Sequence, residues 1–435
     1  MKNEKYTKSY KGSRVLLLKI FALLLSSCSL DITISKMELT SISSSSPSYK
    51  LSSGPGYHLC LIDPHSELWC LGSNSQFELG LGESTTQPGQ PTVDRTYTPV
   101  KVDTNEKYQS VSVAEAGTCA ITTTNQLKCW GSNNGGRLGF GSDGANNPVA
   151  YLIPAPTIVD ADEKYIDISL GNTHACAITT QNKLKCWGQN YSSQLGLGGD
   201  DVNGPSIAAA FLPTAVDGIE KYKSVSVGSD YTCAITLAGQ LKCWGANGNG
   251  QLGLGGDLGN GPSSVVSYVP TVVNSGKKYS TVAASNGSMR STCAVDELGT
   301  LECFGDNFGG KLGVGHSDTI YVPTSVLGSN KYKTVSVGNL HTCATTTSNL
   351  VQCWGYSYNG NLGISENIDD SVGIQYESPM NLLGGESYDS VSVGTYSSWG
   401  ITSSGELRFW GMHDITLDNN TALVPTLYHS LSTGP

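Results

Sequence analysis

The chain is predicted to be all-β, a tandem array of seven units of one kind, on three observations. Cysteines recur in pairs ten residues apart, apolar and polar residues alternate with period two around each pair, and glycine is abundant at 52 residues while charged residues make up only 14%. Period-two alternation bounded by turn residues, with no long run of apolar positions at helical spacing, argues for short strands joined by turns. A chain of 435 residues would ordinarily suggest two or three domains, but a fixed internal period calls for one repeat array. The net charge of -10 provides no basic field for phosphate backbones, so nucleic acid is not an expected partner.

The first element, residues 1–28, precedes the array. Lys2, Lys5, Lys8, Lys11 and Arg14 form a basic start, residues 15–25 form an apolar core interrupted by Lys19, and Leu25-Ser26-Ser27-Cys28 follows. This reads as an export signal. Its end resembles the lipobox of bacterial lipoproteins, which implies that Cys28 becomes a lipidated N-terminus, and Ser29 after it points to the outer membrane or cell surface. Residues 29–48, ending in a serine-rich run, read as a flexible tether. No later segment is long and apolar enough to span a bilayer, so the membrane contact expected is the lipid alone.

The array is expected to fill residues 49–435. Removing Cys28 from the total of 13 cysteines leaves 12, and all fall into pairs: Cys60 and Cys70, Cys119 and Cys129, Cys176 and Cys186, Cys233 and Cys243, Cys293 and Cys303, Cys343 and Cys353. Trp399 and Phe409 stand at the same spacing in the seventh unit. A tyrosine lies eleven residues before the first member in six units, and Tyr279 lies fourteen before because unit five carries an insertion at 286–290.

Within a unit, a segment such as "CAITTTNQLKCWG" places Cys119 and Ile121 on one face of a strand and Leu127 and Cys129 on the same face of the returning strand. That is a β-hairpin, with Asn125 in the turn and Asn182, Gly239, Gly299, Asn349 and Gly405 at the equivalent positions, residue types that tolerate positive φ. Folded symmetrically about Thr124, the hairpin sets Cys119 opposite Cys129 at a separation a disulfide accepts. Zinc usually takes cysteines two to four apart with further ligands nearby, and reduced thiols suit a cytoplasmic protein. Export therefore makes six cross-strand disulfides the expectation. Trp399 and Phe409 would be a cross-strand aromatic pair on the buried face.

Strings such as "YTCAITLAGQLKCWGANGNGQLGLG", residues 231–255, resemble the repeats of the regulator of chromosome condensation family. The resemblance covers 49–435, and its Leu-Gly-x-Gly signature recurs at Leu79, Leu138, Leu195, Leu252 and Leu312, decays at Leu362, and is missing from unit seven. It implies a seven-bladed β-propeller, and units of this size with about four strands each match propeller blades independently. The family's founding member is a nucleotide exchange factor for a small GTPase. No residue here can be carried over for that role, so exchange is kept as the alternative beside a purely structural envelope protein.

Enzymatic readings find little support. His58, His174 and His341 share one repeat position, two before a cysteine, and read as strand residues. No serine elbow, phosphate loop or metal-ligand histidine pair occurs, and no cofactor is expected. Trp130, Trp187, Trp244, Trp354 and Trp410 recur with the blade and read as packing. After each Leu-Gly-x-Gly the chain inserts loops of unequal length, 83–97, 142–153, 199–212, 256–269 and 316–322, which leave the blades at one point and should cluster on one face. Tyr97, Tyr151, Phe211, Tyr268, Tyr321 and Tyr376 near the loop ends either anchor a protein or glycan or cover the adjacent blade. The Asp/Asn/Gly loops at 200–204 and 257–261 are faintly calcium-like but lack full ligand spacing. The functional expectation is an exported, lipid-anchored, monomeric, non-catalytic scaffold that presents one loop face to a protein or glycan.

Closure of the ring is the last expectation. Counted from the cysteine, unit one sets Ser52 and Gly54 where other units have valines, whereas residues 428–434 restore the register with Leu431 and Thr433. The C-terminal strand is therefore expected to complete the first blade and to displace residues 49–55 to the periphery.

Overall fold

The computed structural model describes residues 49–87, 89–141, 151–257, 261–365, 373–412 and 421–430. The leader with Cys28, the tether and residues 431–435 lie outside the described residues, as do 142–150 and 258–260 of two of the inserted loops.

Seven four-stranded antiparallel sheets follow one another, each built from one contiguous stretch of chain. Blade two shows the plan: Tyr108–Val113 is innermost, Gly117–Thr122 and Leu127–Ser132 form the hairpin, and Leu152–Ile158 is outermost. First strands of successive blades pack against one another around a central axis, and Lys50–Ser53 of blade one meets Tyr388–Val393 of blade seven, which closes the ring. The fold is the predicted all-β, seven-bladed propeller.

The hairpin at each blade's centre follows from its alternation. Cys119 pairs with Cys129 and Ile121 with Leu127 in the ladder, and the turn residues Asn125, Asn182 and Asn349 adopt φ of 65°, 61° and 67°. All six cysteine pairs are bonded across the hairpin with Cα atoms 4.1 Å apart. Trp399 stands opposite Phe409 in the same register, with ring centroids 5.4 Å apart.

The core lies between blades. Cys119, Ile121, Leu127 and Cys129 of blade two pack against Tyr165, Ile168 and Trp187 of blade three, and the pattern recurs round the ring. Trp130, Trp187 and Trp244 donate their indole Nε1–H to the carbonyl oxygens of Glu78, Arg137 and Gln194 in the preceding blade, at 2.9, 2.9 and 3.0 Å. Those carbonyls stand just before the Leu-Gly of the signature, and the glycine lies under the indole. A Cβ at Gly80, Gly139 or Gly196 would stand 2.8, 2.9 or 2.7 Å from that nitrogen, and each has positive φ. The signature is thus the seat of the next blade's tryptophan.

Around the axis a second set of bonds joins neighbouring blades. The hydroxyls of Ser52, Ser112, Ser169, Ser226, Ser336 and Ser392 each accept the backbone N–H of the next blade's inner strand, from Val113, Leu170, Val227, Ala284, Val393 and Ser53, at 2.9 to 3.1 Å. Blade five has Ala283 at this position, which offers no acceptor.

Ring closure departs from the expectation. Thr421–Ser430 is the outermost strand of blade seven, paired with Glu406–Met412, and Lys50–Ser53 forms the inner strand of blade one. The reason is a one-residue slip. Four residues, Gly54 to Tyr57, join the first two strands of blade one, where three suffice in blade two, and the bulge found in the other six inner strands is missing. Counting eleven back from Cys60 therefore misplaces the strand. Ser52 takes the axial serine position opposite Cys60, and Leu51, opposite Leu61, stands where a valine belongs. Leu51 and Tyr49 then pack with Trp399, Ile401, Leu407 and Phe409 of blade seven.

Candidate binding face

The six aromatics singled out by sequence fall one to a blade on blades one to six, five within the outermost strands and Tyr151 just before one. Three of them clasp the neighbouring blade and a fourth packs on the core. Gly141, Gly198 and Gly255 of the signature segments donate their N–H to the carbonyl oxygens of Phe211, Tyr268 and Tyr321 in the next blade, at 2.9, 3.1 and 2.9 Å, and Tyr376 packs on the core beside Leu362. Tyr97 and Tyr151 are more open, at 39% and 38% exposure. They form a ring of separate blade contacts and do not converge.

Strand direction defines two faces. The connection face carries the turns from first to second strand and the loops from third to fourth, including the signature and its insertions. The hairpin face carries the cysteine hairpin turns and the crossings between blades. On the connection face three repeat positions vary while the frame around them does not. The residue before the second strand is Tyr57, Ala116, Thr173, Asp230, Arg290, Leu340 and Tyr396 in blades one to seven. The residue after Trp-Gly is Tyr356 in blade six and Met412 in blade seven, against Ser132, Gln189 and Ala246 in blades two to four. Two residues further on, Phe308 and Tyr358 stand in blades five and six.

These substitutions build one apolar crescent over blades five, six, seven and one. Phe308 meets Tyr356 with ring centroids 5.3 Å apart, Tyr358 meets Tyr396 at 6.0 Å, and Asn359 Nδ2 stands 3.6 Å from the Met412 sulfur. Tyr57, Tyr396 and Met412 flank a 130 Å³ groove floored by Gly54, Pro55 and Gly56 at the junction of blades seven and one. Tyr57, Tyr396 and Phe308 are 57%, 42% and 43% exposed. Sequence reading missed this crescent because it weighed aromatics by nearness to long loops. The available signal was variation at repeat positions inside short turns.

The rest of the face is polar. The insertion of blade five leans over the axis, where Asn286 Nδ2 donates to Asn172 Oδ1 of blade three at 3.3 Å, the Ser229 hydroxyl donates to Gly287 O at 2.7 Å, and Met289 N–H donates to Asn339 Oδ1 at 2.9 Å. Beneath it lies a 180 Å³ axial cavity lined by serines 112, 169, 226 and 336. Lys311 is buried, with Nζ donating to the carbonyl oxygens of Met289 and Asn339, and burial pushes its amine down to about 7. Asp200 accepts from the N–H groups of Val202 and Asn203 and from the Asn203 amide, a carboxylate engaged by its own turn. Among the described residues no three potential ligands gather as a metal would need.

The three histidines at one repeat position are buried, and Nε2 of His58, His174 and His341 stands 3.0, 2.8 and 2.7 Å from Thr118 Oγ1, Thr232 Oγ1 and Ser398 Oγ of the next blade. Burial pushes each imidazole down to about 3, so all three are neutral at physiological pH and serve as blade-to-blade linkers.

Comparison with known proteins agrees with this architecture. Family profiles described as the regulator of chromosome condensation (RCC1) repeat match residues 126–178 and 184–235, and 165–194, 222–251 and 332–361. The chain is 27% identical over 370 residues to the ultraviolet-B receptor UVR8 of Arabidopsis thaliana, covering 83% of this chain and 76% of the relative. It is 30% identical over 201 residues to the secretion-regulating guanine nucleotide exchange factor of Bos taurus, covering 46% of this chain and 41% of that one. Among solved structures, yeast RCC1 (Prp20) bound to Kap60 superposes with a TM-score of 0.67 at 18% identity, covering 84% of each chain, a likeness of fold. The chain is thus a seven-bladed propeller that carries regulator of chromosome condensation repeats over residues 126–251 and 332–361.

Proposed function

We propose that this propeller is an exported, lipid-anchored, non-catalytic binding module that offers its connection face to a macromolecular partner. The observation that carries the reading is the crescent: exposed aromatic and thioether side chains at positions that vary between blades, on a frame that the repeats hold constant. Tyrosine and methionine at the centre of such a patch, with serine, asparagine and glycine around them, make up the composition from which protein-recognition surfaces are built. Six disulfides support an oxidising compartment, in keeping with the leader and with Cys28 as the lipid attachment point. The buried, neutral histidines speak against acid–base catalysis.

The test combines localisation with footprinting. Cys28→Ala should abolish lipid labelling, and unchanged labelling would remove the anchor. Cross-linking of the full chain in envelopes should yield a partner adduct that Tyr57→Ser with Tyr396→Ser loses. An adduct indifferent to these changes would move the site elsewhere, and no adduct would favour a structural role. The exchange-factor relative motivates one further assay. Release of labelled nucleotide from a small GTPase by the purified chain would replace the present reading with that one.

A further inference from the structure

Resting on that binding role, we propose that the partner is a protein presenting arginine or lysine side chains, which the aromatic crescent and the carboxylates around it receive. Charge on this molecule is sorted by face. On the hairpin face, lysines begin the third strands and are answered by carboxylates: Lys128 by Asp103 at 2.9 Å, Lys185 by Asp160 at 3.1 Å, Lys242 by Glu220 at 2.7 Å. The connection face has only four basic side chains among the described residues, Arg95, Arg137, Arg290 and Lys311. Arg137 donates to the Ser132 and Asn172 carbonyls, Lys311 to two further carbonyls, and Arg290 pairs with Asp230 at 2.7 Å.

Carboxylates are numerous on the same face. Glu83, Asp94, Glu115, Asp200, Asp201 and Asp318 are exposed there. At the crescent itself Asp306 stands two residues from Phe308 and accepts its N–H at 3.0 Å, and Glu377 lies against Gly310 in the same turn. Cleavage before Cys28 would sharpen the asymmetry. The leader holds five lysines, one arginine and one glutamate, a charge of +5, so the mature chain would carry -10 - 5 = -15.

An aromatic face attracts a guanidinium or ammonium through its quadrupole, by about 0.5 to 2 kcal/mol as water is excluded. Nearby carboxylates add attraction and steer encounter. The groove between Tyr57, Tyr396 and Met412 suits the aliphatic stem of a long basic side chain, whose charged end then reaches the acidic border. An acidic partner would meet unanswered like charge across this face, and a neutral glycan would leave the carboxylates unused.

The test measures binding of three probes to the purified full chain: a peptide of four arginines spaced by glycine and serine, the same peptide with citrulline for arginine, and chitotetraose. The arginine peptide should bind saturably, at least tenfold more tightly than the citrulline peptide, with affinity falling as salt rises. Tyr57→Ser with Tyr396→Ser should cost at least a further tenfold without changing Tm, and the phenylalanine double variant should restore binding. Equal binding of the two peptides, or an arginine peptide indifferent to the tyrosine changes, would overturn the proposal. Saturable binding of chitotetraose alone, lost in the serine variant, would keep the face as a binding site and reject the basic partner. No saturable binding of any probe would also reject the basic partner, leaving the face to be judged by the cross-linking above.

Discussion

Six of the blade junctions and the seam between blades seven and one solve the same problem with different side chains. At the junctions of blades two, three and four with the blade before them, a disulfide-bonded hairpin backs onto the neighbour, and a tryptophan sits on that neighbour's signature glycine. At the seam, blade seven carries no signature, and blade one has Leu71 where the others have tryptophan or phenylalanine. The cysteine pair is replaced by Trp399 and Phe409, with Tyr428 edge-on to both at 5.2 and 5.7 Å. The seat and the ring that fills it are lost together, and the aromatic cluster takes over the burial. A repeat frame therefore tolerates exchange of covalent for packed contacts when both partners of a junction change. The axial serine bond persists at the seam as at five of the six ordinary junctions, with Ser53 N–H donating to Ser392 at 2.9 Å.

Removing the seam's central ring should do the most damage. Trp399→Ala deletes a fully buried indole at the one junction without a nearby disulfide in blade seven, and should cost about 3–5 kcal/mol, read as a fall in Tm and in the denaturant midpoint. A loss below about 1 kcal/mol would mean that the seam does not depend on its aromatic cluster. Cys176→Ala with Cys186→Ala, at an ordinary junction, should cost less, about 2–3 kcal/mol, because the hairpin already closes the short loop by its own ladder.

The histidine linkers predict a pH dependence at the three junctions they bridge, those of blades one and two, three and four, and six and seven. Each imidazole is held near 3 in the fold and titrates near 6.5 unfolded, so the unfolded state binds more protons between those values. Stability is then fully present above about pH 6.5 and falls as pH drops toward 3, by about 2 kcal/mol for each histidine at pH 5. His174→Gln should flatten the acid limb of a stability-against-pH curve, and an unchanged slope would contradict the assignment. Smallest is a gain. Ala283→Ser restores the one missing axial hydroxyl and should add about 0.5–1.5 kcal/mol by accepting from the inner strand of blade six, checked by a rise in Tm.

Much of the blade was legible because its causes are local. Period-two alternation and a turn residue with positive φ at Asn125 are enough to set Cys119 opposite Cys129, and the same residues recur in each unit. Ring closure was not legible, because one extra residue in the bend 54–57 shifts strand register without altering the spacing from tyrosine to cysteine. The aromatic crescent was not legible for a related reason. The loop-end aromatics are conspicuous along the chain, whereas Tyr57, Tyr396 and Met412 lie far apart in it and meet only at the junction of blades seven and one.

By itself the sequence determined the repeat, its hairpin register and the disulfide pairing, since each depends on residues within one unit. Only the tertiary structure decided which strand closes the ring and which aromatics meet. Tyr57 and Tyr396 are separated by most of the chain and share a groove only because blade seven docks on blade one, and that contact rests on side chains and backbone groups whose partners no local periodicity can name.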